Sequence, residues 1–144
     1  MKVKSILADK GSAVHRVGPA RTLLAAAHDL KRLGVGALVV CGESGQVHGL
    51  LTERDIVYAV ASHAGDVSEV KVSDAMTRRV VTCDPDDEVA EVMARMTVHR
   101  TRHVPVMRDG ALVGIVSIGD VVKSRLESMQ ADSAVLRQAY LASR

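Results

Sequence analysis

The residues best placed to do chemistry are two hydroxyl–carboxylate pairs with one spacing, Thr52-x-x-Asp55 and Ser117-x-x-Asp120. Each lies in a longer twin: Gly49-Leu50-Leu51-Thr52-Glu53-Arg54-Asp55-Ile56-Val57 and Gly114-Ile115-Val116-Ser117-Ile118-Gly119-Asp120-Val121-Val122. A glycine and a short apolar strand lead to the hydroxyl, two spacers, the aspartate and an apolar helical face. That spacing sets a hydroxyl and a carboxylate beside the unsatisfied first amides of a helix. The pair can act purely as a capping box, closing the helix start and binding nothing. It can equally belong to a ligand site: an ionised carboxylate accepts from two vicinal hydroxyls, while helix amides and nearby cations meet a phosphate. Recurrence at equivalent points favours ligand contact at Asp120 and at Asp55.

Cations accompany both pairs. Arg54 stands at a helix start, where a positive charge opposes the dipole unless an anion is close, so it is the preferred phosphate contact of the first turn. Arg100, Arg102, His103 and Arg108 form the densest basic stretch, and Arg78-Arg79 is another. Such runs are often only a solvated face. With the strand that follows lying beside a cleft, Arg102 or Arg100 would neutralise phosphates. The first turn thus carries its own cation, and the second, with Gly119 in place of Arg54, must borrow one.

Other chemistries find little support. The six histidines show no H-E-x-x-H or Cys/His ligand spacing, so no metal site is expected. No Ser/His/Asp or Cys/His set is identifiable, no catalytic residue is assigned, and the Walker and G-x-G-x-x-G patterns are missing. Cys41 and Cys83 read as small, buried, reduced residues. Phe and Trp are absent and Tyr numbers two, so the core must be aliphatic and base-stacking platforms for single-stranded nucleic acid are lacking. A net charge of +2 gives no general pull towards nucleic acid or membrane. No run approaches the roughly 20 apolar residues that span a bilayer, and the N-terminus lacks a secretion signal, so the cytoplasm is the expected compartment.

The elements that position these turns repeat. Val3, Ile6 and Leu7 make a short apolar patch, Lys10-Gly11-Ser12 a turn, and Val14 to Val17 an extended segment. Pro19 opens a helix running to Leu33 and closed by Gly34. Gly36 to Cys41 reads as a strand buried on both faces, with Val47 to Leu51 returning beside it. A helix follows Thr52, and residues 62–69 connect. The pattern then restarts with a short helical segment at Val72–Met76 and a strand at Val80–Cys83. Asp84-Pro85-Asp86-Asp87-Glu88 reads as a capped, dipole-matched start of the next helix. A strand from His103 to Met107, the turn Arg108-Asp109-Gly110 and the strand Ala111–Val116 complete the copy. Pro19 matches Pro85, Thr52 matches Ser117, and Asp55 matches Asp120.

The expected fold class is therefore α/β (α+β): two βαββα repeats of roughly 60 residues, packed face to face about a pseudo-two-fold axis. Neither half is large enough to close a core easily by itself. Residues 1–70 make the first repeat with its N-terminal segment, 71–127 the second, and 128–144 a helical tail suited to dimer contacts.

This arrangement resembles a tandem CBS-domain pair, or Bateman module, of the short free-standing bacterial type. The resemblance runs from about Ile6 to Leu126 and rests on both turns, on Arg102-His103-Val104-Pro105-Val106 and on Asp74-Ala75-Met76-Thr77. It implies non-catalytic, regulatory binding of adenosine compounds such as AMP, ADP, ATP, NAD(H) or S-adenosylmethionine, with the aspartate on the ribose and the hydroxyl near sugar and phosphate. Carried over, a second site would use Val81, Thr82, Arg102, His103, Val104, Pro105, Ser117, Gly119 and Asp120. A first site would use His15, Arg16, Gly36, Ala37, Thr52, Arg54 and Asp55. The halves differ, so the two sites are not expected to bind alike. A homodimer and a regulated partner protein are expected. The alternative is a structural or dimerisation module that recruits a partner without any nucleotide.

Overall fold

The computed structural model describes residues 1–143; Arg144, the end of the expected tail, lies outside them. The first half contains α1 (Val3–Lys10), β1 (Arg16–Val17), α2 (Leu23–Leu33), β2 (Ala37–Cys41), β3 (Val47–Thr52) and α3 (Glu53–Ser62). The second contains α4 (Val72–Ala75), α5 (Val89–His99), β4 (His103–Arg108), β5 (Ala111–Ser117) and α6 (Ile118–Ala142). One sheet has the order β1-β2-β3, with β1 parallel and β3 antiparallel to β2; the other is the β4-β5 hairpin. Asp109 and Gly110 turn that hairpin with φ of 51° and 77°. Two successive left-handed residues match the twist of the flanking strands.

The unbroken apolar run of β2 serves two cores. Leu38 and Val40 pack with Leu23, Ala26 and Leu30 beneath α2. Ala37, Val39 and Cys41 face the other way, into a central cluster with Leu50 that meets Leu112 and Ile115 of β5. This central cluster is the seam between the repeats.

The segments that lead into each repeat are exchanged. α1 is attached to the first repeat in sequence, yet Val3 and Ile6 are buried with Val89, Val92, Met96 and Val116 of the second. Reciprocally, Val72 and Met76 close the core of the first. The backbone bonds are matched pair by pair. Val3 N–H donates to Asp87 and Lys4 N–H to Pro85, just as Val72 N–H donates to Arg21 and Ser73 N–H to Pro19. Val89 N–H donates to Met1, just as Leu23 N–H donates to Val70. The N-terminal patch expected from sequence is therefore a helix, and it packs across the pseudo-two-fold axis.

Exchange also corrects the expected helix starts. α2 and α5 begin at Leu23 and Val89, not at the prolines. The carbonyls of Pro19, Arg21, Pro85 and Asp87, which would have opened those helices, accept from the exchanged segments instead. The acidic residues form a turn of their own, with Asp84 N–H donating to Asp87 (3.0 Å) and Asp86 N–H to Asp84 (2.8 Å). Arg108 pairs with Asp84 (2.7 Å) and Arg95 with Asp87 (2.7 Å), fastening that turn to β4 and α5.

The strand expected at Val80–Cys83 shrinks to a single bridge, Cys83 to Val106. Its first-repeat counterpart extends further because Val39 N–H donates to His15 at 3.0 Å. The residue in the place of Val39 is Pro105, which has no N–H to give.

Each lead-in segment also presses on a glycine. A Cβ on Gly49 would lie 2.7 Å from the Thr77 carbonyl oxygen and 2.8 Å from Met76 Sδ; one on Gly114 would lie 2.7 Å from Leu7 Cδ2. The Leu7 methyls can swing aside, whereas the Thr77 carbonyl is fixed by its bridge to Leu50. Gly49→Ala should destabilise by ~1–3 kcal/mol in urea unfolding, the range for overpacking, and Gly114→Ala by clearly less. Equal losses would contradict the difference in rigidity.

Candidate functional site

Both hydroxyl–carboxylate turns form complete capping boxes. Thr52 Oγ1 accepts from Asp55 N–H and Asp55 accepts from Thr52 N–H (2.9 Å); Ser117 and Asp120 repeat the arrangement (3.2 and 2.8 Å). Each box uses one carboxylate oxygen, Oδ2, and leaves Oδ1 for other partners. At the first turn Oδ1 accepts from the Thr77 hydroxyl at 2.9 Å. At the second, Lys10 of α1 donates to Asp120 Oδ2 at 2.7 Å and to the Ile115 carbonyl at 3.0 Å. The cation beside this aspartate is Lys10, whereas the sequence pattern nominates Arg102 or Arg100. Burial pushes the Asp120 carboxyl upward, but hydrogen bonds from Lys10 and from Ser117 N–H outweigh it and hold the group below the usual range.

A cleft of about 350 Å³ opens at the first turn, where the two repeats meet. Gly36, Thr52, Glu53, Arg54 and Asp55 form one wall. Thr77, Arg79, Val80 and Val81 cross the floor, and residues 99–103, from His99 to His103, form the far wall. Four arginines thus surround one cavity that contains two carboxylates.

The geometry regroups the residues expected at two separate sites. Val81, Arg102 and His103 join Thr52, Arg54 and Asp55 in this cleft, because each lead-in segment crosses to the other half. Ser117 and Asp120 lie away from it; Asp120 borders a smaller hollow of about 90 Å³ with Lys10 and Lys123. Val104 is buried in the core of the second repeat, Pro105 beside it on β4 is buried too, and neither lines the cleft. Thr82 is exposed outside it, with its carbonyl accepting from Arg95. His15 and Arg16 are exposed, just before and at the start of β1, Ala37 is buried at the central seam, and Gly119 is exposed, where a Cβ would lie 3.6 Å from Ser117 Oγ. Sequence reasoning left out Lys10, Thr77, Arg79 and His99. A signal for two of them exists: aligning Val3 and Leu7 with Val72 and Met76 sets Lys10 opposite Arg79.

His103 joins the halves. Its imidazole lies over Gly36, where a Cβ would be 3.1 Å from Cε1, and Glu53 Oε1 is nearby on the same side. Burial lowers its pKa below the usual 6.5, overriding the attraction of Glu53 and Asp120. Neither thiol is ionised near neutrality. Burial raises Cys41, and it pushes Cys83 up to about 12 with help from Asp87. Among the described residues no group of three or more His, Cys, Asp or Glu could hold a metal, and no helix is long and apolar enough to cross a membrane.

Two repeats joined about a seam, each with a capped strand-to-helix turn, define a tandem-repeat module. The CBS-domain profile matches residues 6–62 and 72–127, and the chain belongs to the CBS-domain family. The chain is 45% identical to the CBS-domain containing protein ATU1752 from Agrobacterium tumefaciens. That match has a TM-score of 0.84 and covers 86% of this chain and 92% of the other. The CBS domain pair of protein MJ0100, solved with 5′-methylthioadenosine and S-adenosyl-L-methionine, is 28% identical at a TM-score of 0.71, covering 90% and 98% of the two chains. The CBS domain-containing protein CBSX3, mitochondrial, of Arabidopsis thaliana is 35% identical over 127 residues, 83% of this chain. The chain spans 62% of the length of that relative and 54% of another from Methanopyrus kandleri.

The lowered pKa of His103 has a defined sign. The unfolded chain takes up the proton from about pH 6.5 downward while the folded chain resists it, so stability is held above that pH and lost as pH falls through the folded value. Urea midpoints between pH 7.5 and 5 should fall for the wild type and fall less for His103→Gln. Parallel profiles would show that His103 is not the titrating group.

Proposed function

We propose that the chain is a non-catalytic, cytoplasmic regulatory module that binds an adenosine-containing ligand, such as AMP, ADP, ATP or NAD(H), in the cleft at Thr52 and Asp55. One observation carries this reading. A carboxylate suited to a ribose diol and four arginines suited to phosphate line the same cavity at the seam of the repeats. Binding of adenosine compounds by the similar MJ0100 pair supports the class of ligand. The cleft takes its walls from both repeats, so a ligand there favours one packing of the halves over another, which is the requirement for a signal. At the second turn Lys10 shares Asp120 Oδ2 with the capping box, so a ligand there would use Oδ1 and meet that ammonium beside it.

A second reading rests on the tail. Along α6, Leu126, Met129, Val135 and Leu136 are 54–70% exposed, and Val57 of α3 is 62% exposed. Apolar surface of this extent suits a homodimer or a regulated partner protein. A module built only for assembly would need no nucleotide.

Calorimetric titration of AMP, ATP and NADH separates the readings. Removing a charge-assisted contact typically costs roughly 1.5–3 kcal/mol, on the order of 10- to 150-fold in affinity. Asp55→Ala should weaken binding by that factor. Equal affinity in both proteins would remove Asp55 from the site. No heat with any of these nucleotides, alongside a stable dimer in native mass spectrometry, would favour the assembly reading.

A further inference from the structure

α2 and α5 end at equivalent points with equivalent caps, but with different residues. Gly34 closes α2 at φ 65°, ψ 32°, its N–H donating to Leu30 and Lys31. Arg100 closes α5 at φ 51°, ψ 41°, its N–H donating to Met96 and Thr97. Glycine adopts this left-handed conformation freely, whereas a residue with a Cβ is strained in it. The fold therefore prefers glycine at position 100, as it has at position 34. Strain of this kind points to a use for the side chain.

The guanidinium of Arg100 is not used by the fold. Arg21, Arg32, Arg95 and Arg108 each pair with an aspartate. Arg100 has no hydrogen bond or ion pair from its side chain among the described residues, and the same holds for Arg54, Arg79 and Arg102. These four uncommitted arginines line the same cleft, although Glu53 and Asp55 line it too. A single phosphate saturates one or two of them. Four describe a longer anion.

We infer that Arg100 is held in its strained conformation to present its guanidinium, with Arg54, Arg79 and Arg102, to a chain of two or more phosphates. The cleft then selects nucleoside di- and triphosphates over nucleoside monophosphates and over uncharged or cationic adenosine compounds. This rests on the cleft reading above and adds the ligand class and a specificity residue.

Arg100→Gly tests it, because the substitution suits the backbone while deleting the charge. ATP, AMP and S-adenosylmethionine are titrated calorimetrically into wild type and variant, with inorganic tripolyphosphate as a probe that lacks adenosine, and both proteins are melted without ligand. The wild type should bind ATP at least about tenfold more tightly than AMP. Arg100→Gly should melt at or above the wild-type temperature and lose on the order of tenfold in ATP affinity, with AMP changed by less than about threefold. A lower melting temperature would make Arg100 a structural residue and overturn the inference. So would unchanged ATP affinity, an equal loss for ATP and AMP, or a wild type that prefers AMP or S-adenosylmethionine. If the wild type binds tripolyphosphate but none of the adenosine compounds, and the variant binds it more weakly, the polyanion site stands and the adenosine reading falls. If the wild type binds none of the four, both fall.

Discussion

The structure depends on a reciprocal backbone exchange. Residues 1–4 hydrogen-bond to the turn before α5, and residues 70–73 hydrogen-bond to the turn before α2. Each exchange drives one valine, Val3 or Val72, to nearly complete burial in the other half's core. A repeat of this size buries only a marginal amount of apolar surface alone. Here each is completed by the segment that introduces its neighbour. The unit of sequence and the unit of packing are out of phase by one short helix.

That offset decides what the sequence could reveal. The repeat itself, the β4-β5 turn at Asp109-Gly110, the glycine end of α2 and both capping boxes were legible, because each is a contest among residues close in the chain. The exchange was not legible, since an amphipathic patch such as Val3-Ile6-Leu7 does not say which core it enters. Two differences from the sequence expectation follow from it. The helices were expected to start at Pro19 and Pro85, whose carbonyls serve the exchanged segments instead. The candidate site residues were grouped by repeat, whereas Val81, Arg102 and His103 stand across the cleft from Asp55. The shortened strand at Cys83 was readable in principle: Pro105 lies where a donor would be required.

Symmetry at the level of fold coexists with asymmetry at the two turns. Both aspartates cap a helix in the same way, yet Asp55 meets a neutral hydroxyl from Thr77 and Asp120 meets the ammonium of Lys10. The first turn offers Glu53 and Arg54 to an open cavity; the second offers Ile118 and Gly119 beside a small hollow. The repeat supplies a common architecture, and the side chains at a few matched positions make the two turns chemically different. His103, lying over Gly36, stands between them and carries the field of Glu53 and of Asp120.

The Thr77–Asp55 hydrogen bond has a mechanical consequence. Thr77 belongs to the lead-in segment of the second repeat, and its backbone is bridged to Leu50 on the strand that delivers Thr52. A diol that claims Asp55 Oδ1 competes with the Thr77 hydroxyl for the same lone pairs. Occupancy of the cavity would then be felt as a slackened tether at the joint between the halves, without any movement of the helix that Asp55 caps. Sensor and hinge would share one oxygen atom.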